Sequence, residues 1–272
     1  MTPVDLHHGA ATDVGLVRSV NEDAYLVAPP VFVVADGMGG HAGGDVASQI
    51  VVEEFTRLAE AGYDPVRASD HVDQVLARAQ ARLLAYADTQ RVEQPGWHAG
   101  TTVVAAVLVE EDGVPGWLVA NLGDSRAYAV DGARLRQVSV DHSVVQELVD
   151  QGRISREEAA VHPERHVITR ALGSRSGIVP DFFRVPLSAA PRLLLCTDGI
   201  SGMVGDVEIA RVVGTTTDPG AAARGLVQAA LAAGGRDNAT AVVVDVVGLS
   251  EDVHDPQSGA AGPRSDLGAK HG

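Results

Sequence analysis

The chain has 272 residues, 45% hydrophobic and 21% charged, a globular composition with enough apolar surface for a sizeable core and room for one large domain or two small ones. Its 21 basic and 36 acidic residues leave a net charge of -15, which argues against a surface built to bind nucleic acid. The lone Cys196 excludes an internal disulfide and fits a reducing, cytoplasmic setting, no stretch approaches the roughly 20 apolar residues of a membrane span, and the amino terminus lacks the basic-then-apolar pattern of a secretory signal.

In chain order, short β-branched or apolar runs bounded by Gly, Asp, Asn or Pro predict strands at 25–27 and 31–35. Two amphipathic patterns follow, Val46, Ile50, Phe55 and Leu58 and then Val72, Val75, Leu76, Ala79 and Leu83, and these predict a helical pair. Strands are expected again at 101–109, 117–121 and 126–130. The polar stretch from 141 to about 177 carries two capping-box patterns, Ser143 with Gln146 and Ser155 with Glu158, and reads as a surface flap holding two short helices. After a strand at 192–197 comes a second helical pair, at 207–213 and then from Asp218 as N-cap and Pro219 as first helical residue to about Ala233, where Gly234 and Gly235 stop it. A last strand is expected at 240–247.

Helices arriving in pairs between groups of strands disfavour βαβ alternation and favour antiparallel sheets covered by helical hairpins, an α+β fold. One domain is expected over 1–248. The segment 249–272, rich in Gly, Pro, Ser and Asp, is expected to have no fixed structure.

Five motifs set carboxylates beside strand ends: RSVNED at 18–23, DGMGGH at 36–41, GDSR at 123–126, TDGIS at 197–201 and RDN at 236–238. Any one of these acids could be a turn or cap residue. If all converge, carboxylates about 4 Å apart repel by about 4 kcal/mol per pair at an effective dielectric of 20, and a bound cation relieves that repulsion. Oxygen donors without a Cys or His set favour Mg²⁺, Mn²⁺ or Ca²⁺ over Zn²⁺. The glycine-rich loop is followed by no Gly-Lys-Ser/Thr, so it is not a Walker loop. Cys196 reads as a core residue, since the position six residues on, where a cysteine phosphatase needs arginine, is Gly202.

These motifs, in this order, together with GTTVV at 100–104, DHS at 141–143 and ITRALG at 168–173, closely resemble the metal-dependent protein phosphatases, the type 2C serine/threonine phosphatases, and among them the short bacterial members. The resemblance implies a four-layer αββα sandwich with metals at one end, and hydrolysis in which a water activated by two Mn²⁺ or Mg²⁺ ions attacks phosphorus in line with the leaving alkoxide. Carried onto this sequence, Asp36 bridges two metals, Gly37 offers its carbonyl, Asp198 and Asp237 hold the first metal, and Glu22 serves the second through water. Asp23 supports them from behind, and Asp124 with Asp198 takes a third, weaker ion. Arg18 corresponds to the phosphate-binding arginine, and His41 stands where bacterial relatives carry a histidine suited to protonating the leaving oxygen. The other histidines read as structural or exposed. Ile200–Ser201 replaces the usual Leu-Thr, a conservative departure. The expected partners are phosphorylated proteins, substrates of serine/threonine kinases, met by a monomer without nucleic acid or membrane. A phosphatase of small phosphoesters and a noncatalytic module of the same fold are the alternatives.

Overall fold

The computed structural model describes residues 4–39, 43–94, 96–175 and 177–247. Expectations for His41 and for 249–272 fall outside them. Long apolar runs dictate the architecture, because a strand that is buried on both faces has no polar alternation. Thus β3 (Val31–Gly39), β5 (Val103–Glu111) and β6 (Val114–Leu122) form the middle of one sheet, flanked by β2 (Asp23–Ala28) on β3 and β9 (Asp181–Pro186) on β6, with the short β4 (Ala99–Thr101) also on β3. The second sheet runs in the order β1 (Asp5–Asp13), β11 (Ala239–Val247), β10 (Arg192–Cys196), β7 (Arg126–Asp131) and β8 (Arg134–Gln137). Every pairing is antiparallel.

Alternate residues of these strands serve different layers. Phe32, Val34, Val104 and Trp117 meet Leu193, Leu195, Val242 and Val244 between the sheets. Val33, Ala35 and Val107 face outward onto Val51, Phe55, Leu76 and Leu83 of α1 (Gly44–Ala61) and α2 (Ala68–Glu93). Short helices α3 (Val144–Asp150) and α4 (Arg156–Val161) lie in the expected flap, and a one-turn helix α5 (Asp198–Ser201) follows β10. On the other outer face Tyr128, Leu194 and Val243 pack on Ile209, Val213 and Leu226 of α6 (Asp206–Thr215) and α7 (Pro219–Ala232). The result is the expected αββα sandwich. Among the described residues no helix is long and apolar enough to cross a membrane.

Three strands go beyond the sequence expectation, β1, β8 and β9, and all lie at sheet edges. An edge strand has one ladder and one open side, so its sequence can stay polar, as DLHHGAATD does. The strand expected over 101–109 breaks at Thr102, because β3 pairs with β5 through Val31–Val34 and with β4 through Gly37–Gly39. The Thr102 N–H turns instead to the Asp36 carbonyl, at 2.9 Å.

Ser155 and Glu158 form the full capping box, at 3.1 and 2.7 Å. Ser143 makes only half of one. Its hydroxyl accepts from the Gln146 N–H at 3.2 Å, whereas the Gln146 amide reaches forward to Asp150 at 2.7 Å. Asp218 caps α7, accepting from the Ala221 N–H at 2.6 Å, and Gly234 and Gly235 take the positive φ that ends it. Cys196 is fully buried in β10 and burial pushes its thiol up to about 12, as suits an inert core residue.

Candidate active site

The acids converge because their strands end on one side of the sandwich. Asp23 and Asp36 are direct partners across β2 and β3, Asp124 lies in the β6–β7 turn, Asp198 follows β10, and Asp237 precedes β11. Arg18, Glu22, Asp36, Gly37, Asp124, Asp198 and Asp237 all line one cavity of about 520 Å³. A larger hollow of about 720 Å³ beside α1 and α2 shares none of these residues, although Asp23 borders it.

Threonine and serine hydroxyls fix the acids. Thr102 Oγ accepts from the Asp36 N–H at 3.0 Å and lies 2.7 Å from the Ser125 hydroxyl. Asp23 Oδ2 accepts from the hydroxyls of Thr197, at 3.0 Å, and Thr240, at 2.7 Å. Its other oxygen, Oδ1, is buried with no hydrogen-bond partner among the described residues, a costly arrangement for a carboxylate. Glu22 accepts from the Gly44 N–H, the first of α1, at 3.2 Å. A Cβ on Gly37 would collide with the carbonyls of Gly44 and Glu22, so the packing that delivers Glu22 demands glycine at 37.

Asn238 lashes the Arg18 loop to this frame. Its amide donates to the carbonyls of Val14 and Val20, both at 2.9 Å, and its oxygen accepts from the Glu22 N–H at 2.8 Å. Arg18 in turn donates to Asp237 at 2.7 Å while half of its side chain stays in solvent.

Burial and mutual repulsion dominate the electrostatics. Burial, then Asp23, Asp198, Asp124 and Asp237, holds Asp36 well above the usual carboxylate range. Burial and then Asp198 push Asp124 up to about 7, and burial likewise lifts Asp23 to about 7, against the pull of its two hydroxyl donors. Asp198 is raised by burial and by Asp237, although Asp36 hydrogen-bonds to it. Glu22 is raised mainly by burial.

Hard cations suit this set: the donors are all oxygens, they crowd one another, and one buried carboxylate oxygen is unsatisfied. Among the described residues no three His, Cys, Asp or Glu side chains close into a ready cage.

The flap brings residues that the sequence reading left unassigned. Arg165, His166 and Ile168 line the cavity, and His166 Nδ1 stands 3.7 Å from Asp198 Oδ2. Arg236 of the RDN motif joins them. Lone polar residues inside a long polar insert carry no periodic signal that could have singled them out. Arg126 of GDSR is not among the residues lining the cavity. It forks onto Asp141, at 3.0 and 2.7 Å, and so ties the two motifs together.

A profile of protein phosphatase 2C matches residues 17–233, and the chain belongs to the protein phosphatase 2C family. It is similar to several bacterial phosphatases. The serine/threonine phosphatase stp of Listeria innocua is 34% identical over 252 residues, covering 88% of this chain and 96% of that protein. Among solved structures, the serine/threonine phosphatase Stp1 from Staphylococcus aureus superposes with a TM-score of 0.81 at 33% identity, over 90% of this chain and 96% of the other. The catalytic domain of the phosphatase PstP, in complex with two manganese ions, gives a TM-score of 0.77 at 34% identity, over 90% of this chain and all of that domain.

Proposed function

We propose that this chain removes phosphate from phosphoserine and phosphothreonine in proteins, in the cavity where Arg18 and the acids meet. The observation that carries this reading is the composition of that wall: five carboxylates, with a phosphate-sized cationic fork at their edge. Asp36, Asp198, Asp237 and the Gly37 carbonyl would hold two Mn²⁺ or Mg²⁺ ions with Glu22, and Asp124 with Asp198 a third. When bound, such ions supply Lewis acidity and bring the ionisation of water toward neutral pH.

The chain's own residues do the rest. Asp23, clamped by Thr197 and Thr240, holds the cluster from behind. Arg18 already donates to Asp237 and can turn its planar fork onto two phosphoryl oxygens, fixing phosphorus against the acid wall. His41, within the glycine-rich sequence DGMGGHAGG, would hand a proton to the departing serine or threonine oxygen. The flap, through Arg165 and His166, would meet the peptide around the phosphorylated residue. A monomer working in the cytoplasm on the products of serine/threonine kinases fits this arrangement.

The test compares kcat/KM for phosphoserine, phosphothreonine and phosphotyrosine peptides and for small phosphoesters, with Mn²⁺. Preference for the first two supports the proposal. Equal or better turnover of small alkyl phosphoesters would move the substrate class away from proteins.

A further inference from the structure

His142 stands outside the acid cluster, yet it touches the backbone that carries Asp124. We propose that His142 is a positioning residue that locks the Gly123–Asp124 turn to both ends of the flap. The imidazole is buried, only 4% exposed. Its Nδ1 accepts from the Gly123 N–H at 3.2 Å, and its own backbone N–H donates to the Gly123 carbonyl at 2.9 Å, so one residue grips both polar groups of Gly123. Asn121 adds a second donor to that carbonyl at 3.2 Å. On its other side Gly123 cannot give way. It has φ 116°, and a Cβ there would lie 2.6 Å from Thr102, the residue that holds the Asp36 N–H.

The same residue closes the base of the flap. The Thr169 N–H donates to the His142 carbonyl at 2.8 Å, and the neighbouring Ser143 bridges to Ile168. Between these two ends lie Arg165 and His166, which line the cavity. The flap and the Asp124 turn therefore share one joint.

The network also assigns the tautomer. With Nδ1 accepting, the proton of the neutral ring sits on Nε2 and points at Asp181 Oδ2, 3.1 Å away. Arg170 donates to the other oxygen of Asp181 at 3.2 Å, so its 3.3 Å approach to Nε2 is that of two donors side by side on one carboxylate. Asp181 thereby fixes the ring in the form that can hold Gly123, in the way outer partners orient functional histidines. The consequence is reciprocal coupling: whatever steadies Asp124 steadies the flap, and a peptide that moves the flap is felt at Asp124.

Asn and Gln substitutions separate the two ends of the ring, since an Asn oxygen can stand near Nδ1 and a Gln amide near Nε2. Two quantities are read in His142→Asn, His142→Gln and His142→Ala: hydrogen exchange of the Gly123 and Thr169 amides without metal, and the Mn²⁺ concentration giving half-maximal phosphate release from a phosphothreonine peptide. In the Gln and Ala variants both should rise about tenfold or more, the scale of one unsatisfied buried N–H, while Asn stays near wild type. Asn behaving like Ala, or exchange at Gly123 unchanged in Ala, would overturn the proposal. If these buried substitutions unfold the chain, the half-exposed Asp181 serves instead: Asp181→Ala should raise both quantities and Asp181→Asn restore them, and equal effects would overturn it. The inference rests on the phosphatase reading only for the role of Asp124. A wild-type protein that released no phosphate would sink that reading while the exchange data still decided the clamp.

Discussion

Asp124→Asn removes one charge from the crowded wall and keeps its shape. Burial, Asp198 and Asp141 raise this carboxyl from 3.8 to about 7. A folded pKa above the unfolded one means the native state binds the proton more tightly, so this stabilisation is complete below about 3.8 and lost as pH rises through about 7. At about 1.36 kcal/mol per decade, that difference sets an upper bound of about 4 kcal/mol on the cost of keeping Asp124 ionised at pH 8, part of it shared with Asp198. Asparagine carries no such cost. In excess chelator at about pH 8 the variant should melt above wild type by at most about 8–16 °C, taking about 2–4 °C per kcal/mol for a domain of this size. Near pH 4 the two curves should converge. Saturating Mn²⁺ should narrow or reverse the difference, since an ion at 100 times its Kd stabilises the native state by about 2.7 kcal/mol and the variant has lost a ligand. Melting curves at several pH values, with chelator and with Mn²⁺, decide it. A variant no more stable than wild type at pH 8 in chelator would refute the electrostatic reasoning.

Other expectations follow from the same geometry. Arg18→Ala should lower kcat/KM on phosphopeptides by about tenfold to a hundredfold, chiefly through KM, as loss of a charged hydrogen bond to phosphate requires; an unchanged KM would mean that Arg18 serves only its pair with Asp237. His41→Ala should slow phosphothreonine peptides by about 10² to 10⁴ and spare p-nitrophenyl phosphate, whose phenolate leaves without an acid; equal losses on both would assign His41 to positioning. Glu54 is fully buried and receives Arg57, Arg78 and Arg82 between α1 and α2, so Glu54→Ala should cost about 1–3 kcal/mol in a denaturant melt while leaving activity per folded molecule intact.

What could be read from sequence was the buried part of the molecule. Val31–Ala35 and Val103–Val109 are covered on both faces, so their composition alone announced strands. The edge strands β1, β8 and β9 were hidden because half of each faces solvent. The acids were legible through their short motifs, and the cavity gathers Glu22, Asp36, Asp124, Asp198 and Asp237 as the motifs implied. Their supports were not. Thr102, Ser125, Thr240 and Asn238 act through hydrogen bonds between residues up to 228 apart in the chain, and no local pattern marks such partners. His142 and His166 were read as structural or exposed, and that agrees with their burial: the first is buried against the Asp124 turn and the second is more than half exposed, 3.7 Å from Asp198.

Metal dependence of the acid wall can be read from the restoration of activity. Wild type and Asp36→Asn are stripped with chelator, freed of it, and assayed for phosphate release from a phosphothreonine peptide as Mn²⁺ is added back. Burial and the charges of Asp23, Asp198, Asp124 and Asp237 hold Asp36 well above the usual carboxylate range, so removing its charge should disable the wall. Stripped wild type should release no phosphate and recover to saturation with Mn²⁺, while the variant should stay inactive at every Mn²⁺ concentration. Full release from the stripped wild type, or recovery of the variant to the wild-type rate, would contradict that dependence.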